Sequence, residues 1–187
     1  AYAVGPMNRF DAICHAMTTI ATGGFSTHQA SIGYFGSNYI EFVCVFFMLL
    51  SGINFAMYHF LFNGRFDVIK RNEELRWYLL AILFFTVLFL LRFYFAPRID
   101  VITDEQLVSH PHTELDRIRT SLFHVVALLS NTGFQGTNYN YDSWGRLFLI
   151  PTVVMMVVGG CAGSTSGGIK MVRVIVYKGK SKLDIVR

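Results

Sequence analysis

With 187 residues, 53% of them hydrophobic and 15% charged, the chain carries far less charge than the roughly 25% of ordinary soluble domains. A mean hydropathy of +0.44, with the apolar residues gathered in membrane-length blocks, excludes a freely soluble domain. The net charge of +4 does not signal nucleic acid, because the basic residues sit between apolar runs, where they set membrane orientation.

The chain enters at Ala1-Tyr2-Ala3 without a signal-peptide pattern and meets a half-motif at once, as a piece of a longer protein would. Pro6 and Asn8 precede Arg9 to Ile20, where Phe10, Ile13, Cys14 and Met17 have helical spacing. At about 1.5 Å per residue this helix reaches about 18 Å, half a bilayer, and cannot span. It stops in Thr22-Gly23-Gly24, and a polar return follows over 26–38. That is the pattern of a re-entrant loop, tolerated at membrane depth only where it lines a water-filled cavity or is buried in protein.

Asn38 with Glu41 resembles an N-cap pair opening a span that runs to Phe62. The run 40–62 is broken only by Glu41, Ser51, Asn54 and His59, and a second apolar run, 77–96, holds Thr86 and Arg92. Inside a span, Asn54 and His59 either line an inner vestibule or bond a neighbouring helix, while Arg92 snorkels. The connecting segment 63–76 carries Arg65, Lys70, Arg71 and Arg76, whereas 97–118 carries Arg98 and Arg117 beside Asp100, Asp104, Glu105, Glu114 and Asp116. This bias places 63–76 in the cytoplasm and the glycine loops outside. The acidic residues read as a solvated face that can enrich cations, and His110 and His112 are too few for a metal site.

A second short helix is expected over 116–129, capped by Thr113 or Asp116, and it ends at Asn131-Thr132-Gly133. Gly24-Phe25 and Gly133-Phe134 lie 109 residues apart, and His15 falls on His124 at the same offset. A repeat of that size is an architectural signal. The two histidines read as helix-packing groups with a satisfied hydrogen bond. Another polar return, 138–143, leads to an apolar stretch from Trp144 that is interrupted at 159–168 and resumes to Tyr177. As one helix, 144–177 would be about 51 Å long, too long for a bilayer, so a broken span is expected. The basic tail from Lys170 agrees with a cytoplasmic end. Cys14, Cys44 and Cys161 lie in apolar or glycine-rich context without Cys-x-x-Cys, as small buried hydrophobes do.

Two half-length helices, each ending in a glycine break before a spanning segment, suggest a pore. The C-terminal end of a helix is partly negative and favours a cation. The loop beyond it has carbonyl oxygens free to replace water around a dehydrated ion. On this reading Thr22, Gly23, Gly24, Asn131, Thr132 and Gly133 supply backbone ligands. Simple helix C-caps would account for each glycine alone, but not for the repeat. The stretch Gly159, Gly160, Cys161, Ala162, Gly163, Ser164, Thr165, Ser166, Gly167, Gly168 can fold tightly at membrane depth, with its hydroxyls replacing lost hydrogen bonds. A close helix-packing patch is the plainer alternative. A phosphate loop is the weaker rival, because Ile169 stands where the lysine is required and no Ser/Thr follows Lys170.

The residues also carry a resemblance. The stretch from Thr18 to His28 (TTIATGGFSTH) resembles a pore-loop signature of the Trk/Ktr/HKT potassium transporter superfamily, and Ser130-Asn131-Thr132-Gly133-Phe134 resembles the next one. The stretch from Gly159 to Lys170 (GGCAGSTSGGIK) is similar to the intramembrane loop of its bacterial Trk branch. The resemblance implies an all-α polytopic membrane protein built from M1–pore-helix–filter–M2 repeats around a potassium-channel-like pore. Residues 1–62 would be the pore helix, filter and M2 of the second repeat, and 63–76 a cytoplasmic loop. Residues 77–187 would be most of the third repeat, with M1 at 77–96, an outer segment 97–115, pore helix and filter 116–135, and a broken M2 at 144–177. It implies K⁺ bound at the filter residues, no further cofactor, and a gate formed by Gly159, Gly160, Gly163, Ser164, Thr165, Ser166, Gly167 and Gly168. The partners implied are the lipid bilayer, a second copy and a cytoplasmic nucleotide-binding regulatory subunit. Glycine at both 24 and 133 agrees with K⁺ over Na⁺, since Na⁺-permeable members carry serine at a filter glycine. Rival readings are the K⁺-conducting subunit of an ATP-driven pump, a non-conducting assembly subunit, and an intramembrane enzyme using His15, His28 and Ser26.

Overall fold

The computed structural model describes residues 1–95, 114–136 and 149–177, with side chains to Leu91 in the first of these. The expectations for residues 97–113, 137–148 and 178–187, among them His110, His112, Asp100, Asp104, Glu105 and the cap at Thr113, and that for the Arg92 side chain, lie outside the described residues. Among the described residues the structure is helical, its one β feature an isolated bridge between Val158 and Ile169.

Helix α1 (Arg9–Ile20) has the expected bounds, and the Asn8 side chain caps it by accepting the Asp11 N–H at 2.7 Å. Its apolar stripe is turned outward, with Phe10 at 68% and Met17 at 68% exposure, while Asp11, His15 and Thr19 are buried. This inverts the pattern of a soluble protein, and suits a helix whose surroundings are apolar and whose polar atoms bond inward. Helix α2 (Asn38–Ser51) corrects the expected cap. Ser37 occupies the N-cap without a side-chain bond and Asn38 is already helical. Glu41 is drawn instead toward Arg119, whose Nε lies 2.9 Å away, close as an ion pair though not aligned as a hydrogen bond.

The run 40–62 is not the straight span expected. It divides into α2 and α3 (Phe55–Phe62), bent by 95°. Gly52 is a weak helix former, and the Asn54 side chain accepts the Ala56 N–H at 2.9 Å, starting a new helix in place of the old one. A side chain at Gly52 would run into the Tyr78 hydroxyl, so the bend is packed as well as permitted. Asn54 is thus a cap, and His59 bonds the Asn63 side chain at 2.9 Å.

A short helix α4 (Phe66–Arg71) leads to α5 (Glu73–Phe95), whose segment Glu73–Leu91 is long and apolar enough to cross a membrane. The α2–α3 pair meets the same test if counted as one broken span. Helix α5 buries Tyr78, Ile82 and Phe89 and exposes Leu79, Leu80, Leu83, Phe84 and Val87 on its remaining faces. Helix α6 (Glu114–Leu129) begins earlier than expected. Asp116 lies inside its first turn and does not cap it; its Oδ1 meets Arg119 at 3.2 Å. Helix α6 packs on α5, α2 and α7 (Leu149–Val157), which makes it the buried centre of the molecule, with Phe123, Val125, Val126 and Leu129 fully enclosed. Beyond α7 comes the loop 159–168, and helical backbone resumes as α8 at 171–177.

Candidate functional site

The ends of α1 and α6 are built alike, and Gly133 N–H makes one further bond, to the Ala127 carbonyl at 3.0 Å. Thr22 (φ 49°) and Asn131 (φ 56°) are both left-handed, as are Gly24 (φ 68°) and Gly133 (φ 77°). The amide of Gly23 donates to the Thr18 carbonyl at 2.8 Å, and that of Thr132 to Ala127 at 2.9 Å. The amide of Thr22 reaches Thr19 at 3.3 Å, and that of Asn131 reaches Leu128 at 3.0 Å. Each pair is separated by the offset read from the sequence. Left-handed residues at alternate positions reverse the turn of the chain at each step, so that successive carbonyls need not point to opposite sides. Glycine supplies that geometry without strain at 24 and 133. Asparagine tolerates it at 131, and β-branched Thr22 is a strained outlier held by its surroundings.

Among the described residues, none of the carbonyls of Thr22, Gly23, Gly24, Asn131, Thr132 and Gly133 accepts a hydrogen bond. The two loops touch: a Cβ on Gly24 would fall on the Thr132 carbonyl. Their flanks are stitched by Gly33 N–H to the Gln135 carbonyl at 3.1 Å and Gln135 N–H to Ser31 Oγ at 3.2 Å.

His15 and His124, both fully buried, hold this scaffold. Nδ1 of His15 donates to the Asp11 carbonyl at 2.7 Å and that of His124 to the Thr120 carbonyl at 2.8 Å, again 109 residues on. The other ring nitrogen, Nε2 of His15, bonds Ser26 Oγ at 2.9 Å, tying the middle of α1 to the chain beyond its loop. His28 Nε2 and Thr27 Oγ1 both donate to the Asp11 carboxylate, at 3.2 and 2.6 Å. The residues of the enzyme reading, His15, Ser26 and His28, do come together. Their bonds staple α1 to the chain beyond its loop, and the Nδ1 bond recurs in the second copy, where Gln135 stands in place of Ser26. The copies differ at one aromatic. Phe134 is buried 6.1 Å from the His15 ring, whereas its counterpart Phe25 is 78% exposed.

The loop 159–168 packs against both glycine breaks. Thr22 Oγ1 donates to the Thr165 carbonyl at 2.9 Å, and Thr165 Oγ1 donates to the Ile20 carbonyl at 2.9 Å. The Asn131 carboxamide donates to the Met156 carbonyl at 2.7 Å and rests on Gly159, Gly167 and Gly168. A side chain on Gly159 would collide with the Gly167 carbonyl, so these glycines are needed for close approach. Within the loop, Ser166 Oγ accepts the Gly160 N–H at 2.8 Å, Ser164 Oγ donates to the Cys161 carbonyl at 2.6 Å, and Lys170 Nζ donates to the Ser166 carbonyl. The bend at 52–54 adds Cys161 N–H to the Gly52 carbonyl at 2.9 Å, and Phe55 N–H to the Gly163 carbonyl at 3.1 Å. All three cysteines are free, with Cys44 and Cys161 buried.

Arg119 and Glu74 are contributors that the sequence reading does not single out, and Glu41 serves as a partner of Arg119 where the sequence suggested a cap pair with Asn38. Their signal is a charge beside membrane-length apolar runs, and Gly52 inside an apolar run is a break signal.

Comparison with known proteins places this architecture. The family model described as "TrkH: Cation transport protein" matches residues 3–186. The Trk system potassium uptake protein TrkH of Halomonas elongata is 33% identical over 100% of this chain and 36% of its own length. TrkH of Escherichia coli K12 is 34% identical over 97% of this chain and 35% of its own. TrkG of the same strain is 31% identical over 98% and 35%. The crystal structure of the potassium transporter TrkH from Vibrio parahaemolyticus superposes with a TM-score of 0.79 at 29% identity, over 97% of this chain and 37% of that one. The chain therefore spans little more than a third of the length of these relatives, and it belongs to the TrkH family of cation transport proteins.

Proposed function

We propose that residues 22–24 and 131–133 are two walls of a potassium-selective filter, and that 159–168 is the gate of the same pore. The observation that carries this is the pair of loops with matching left-handed positions and six carbonyls that accept no hydrogen bond among the described residues. Such carbonyls can replace the water of a dehydrated cation. The relatives' names, potassium uptake proteins, favour K⁺ as that cation. α1 and α6 act as half-length pore helices whose C-terminal ends favour positive charge. Phe134 packs across onto His15, so the exposed Phe25 points to a like neighbour in a further repeat of a closed ring. The reading is transport and not catalysis. It places the filter loops outside, 63–76 and 178–187 in the cytoplasm, and the protein in the cell membrane as a homodimer with a cytoplasmic nucleotide-binding subunit.

The test is uptake of K⁺, Rb⁺ and Na⁺ by the full-length protein in liposomes, with and without Gly133→Ser. A loss of K⁺ preference is expected; unchanged selectivity would overturn the filter assignment. Shortening 163–168 should raise flux, and an unchanged rate in a folded variant removes the gating role.

A further inference from the structure

We propose that Glu74 is a positioning residue that latches the intramembrane loop to the α4–α5 corner, so that movement of that corner is transmitted to the loop. Oε1 of Glu74 accepts two backbone N–H groups at once, from Ala162 at 2.6 Å and Val172 at 3.2 Å. Ala162 lies within the loop and Val172 just past its end, so one carboxylate oxygen closes the segment like a clasp. The sequence separations of 88 and 98 residues make this a tertiary contact and not a local turn. Carboxylate–amide bonds are roughly twice as strong as neutral ones, and removing the acceptor leaves two amides to find partners.

The corner that presents Glu74 is itself fixed. Asn72 Oδ1 accepts the Leu75 N–H at 2.8 Å, and Asn72 Nδ2 lies 3.6 Å from Met57 Sδ on α3. The other side of the loop is bonded to the α2–α3 bend. The loop is therefore held between two elements, and Glu74 joins it to the one that continues into the charged segment 63–76. Any partner that displaces α4 would pull on Glu74, and through it on the loop at Ala162 and on the helix that follows it at Val172.

The inference rests on the loop being a gate, and the experiment separates the two ideas. Cys161, 1% exposed within the loop, is a native reporter. In the full-length protein, with the other cysteines replaced (Cys14→Ser and Cys44→Ser among them), the rate of Cys161 labelling by a small methanethiosulfonate and Rb⁺ uptake into liposomes are measured for Glu74→Ala and Glu74→Gln. Glu74→Ala should raise labelling and uptake by about tenfold in protein that still folds and inserts. Glu74→Gln, which keeps an acceptor and loses the charge, should fall between. In a background with 163–168 shortened, neither change should add further flux. Labelling equal to the parent in both variants overturns the latch. Faster labelling with unchanged uptake keeps the anchor but overturns the gate, and with it the transmission.

Discussion

The sharpest consequence of the geometry is that two glycines at equivalent positions should respond differently to the same substitution. Gly133 has φ +77° and, among the described residues, nothing within 4 Å of where a Cβ would stand. Gly133→Ala therefore costs only the left-handed penalty of an L-residue, roughly 1–2 kcal/mol. At about 1.4 kcal/mol per factor of ten, that reduces the population of the native loop roughly 5- to 30-fold relative to relaxed alternatives. Gly24 has φ +68°, and its Cβ would fall on the Thr132 carbonyl, which is backbone and cannot swing aside. Gly24→Ala adds an overpacking cost of about 1–3 kcal/mol, for a total of roughly 2–5 kcal/mol, and it pushes on the neighbouring loop as well as its own. In liposome flux with K⁺ and Na⁺, Gly133→Ala should therefore retain measurable transport with relaxed selectivity. Gly24→Ala should lose transport or fail to reach the membrane. The discriminating comparison is Gly24→Ala beside the pair Gly24→Ala/Gly133→Ala. If the loops abut as described, the second substitution adds less than its single effect. Equal defects in the two single variants, with strict additivity in the double, would refute the reasoning.

Three other perturbations follow. Glu41 and Arg119 are buried at 2% and 6% exposure, so Glu41→Gln or Arg119→Met alone should destabilise the protein by about 3–5 kcal/mol, while Glu41→Met with Arg119→Met recovers most of it; thermal melting in detergent measures both. Lys170→Met frees the Ser164 and Ser166 carbonyls of their ammonium donor, and should loosen the loop, raising Rb⁺ flux several-fold, with Lys170→Arg closer to the parent. Thr22→Val keeps the β-branch but removes the hydroxyl that donates to the Thr165 carbonyl; it should cost about 1–3 kcal/mol and raise flux, and an unchanged flux would remove this contact from the gating path.

The membrane class, the half-length α1, the two glycine breaks and their spacing were legible in the chain itself. Each is a local property: composition, the reach of a twelve-residue helix, or a backbone preference written in glycine. The interruption of helix at 159–168 was legible for the same reason, since glycine and small polar residues replace the apolar run there. What the sequence misjudged were ends and partners. Asn38 and Asp116 have the chemistry of caps, but the Arg119 guanidinium takes Glu41 from across a helix pair and Asp116 from three residues along its own helix, and propensity gave way to charge. The bend at Gly52 is permitted by sequence and chosen by Tyr78 and Asn54.

The sequence by itself determined that two short helices end in left-handed-tolerant loops within an apolar chain, because those preferences belong to single residues and their neighbours. Only the tertiary structure decided that Thr22 reaches Thr165, that Asn131 rests on three glycines, and that Glu74 joins the loop at Ala162 to the chain beyond it at Val172. These pairings join residues up to 143 positions apart. A donor or acceptor at that distance has many candidates in the sequence, and only packing, which excludes water and leaves each buried polar group to find a partner, selects one.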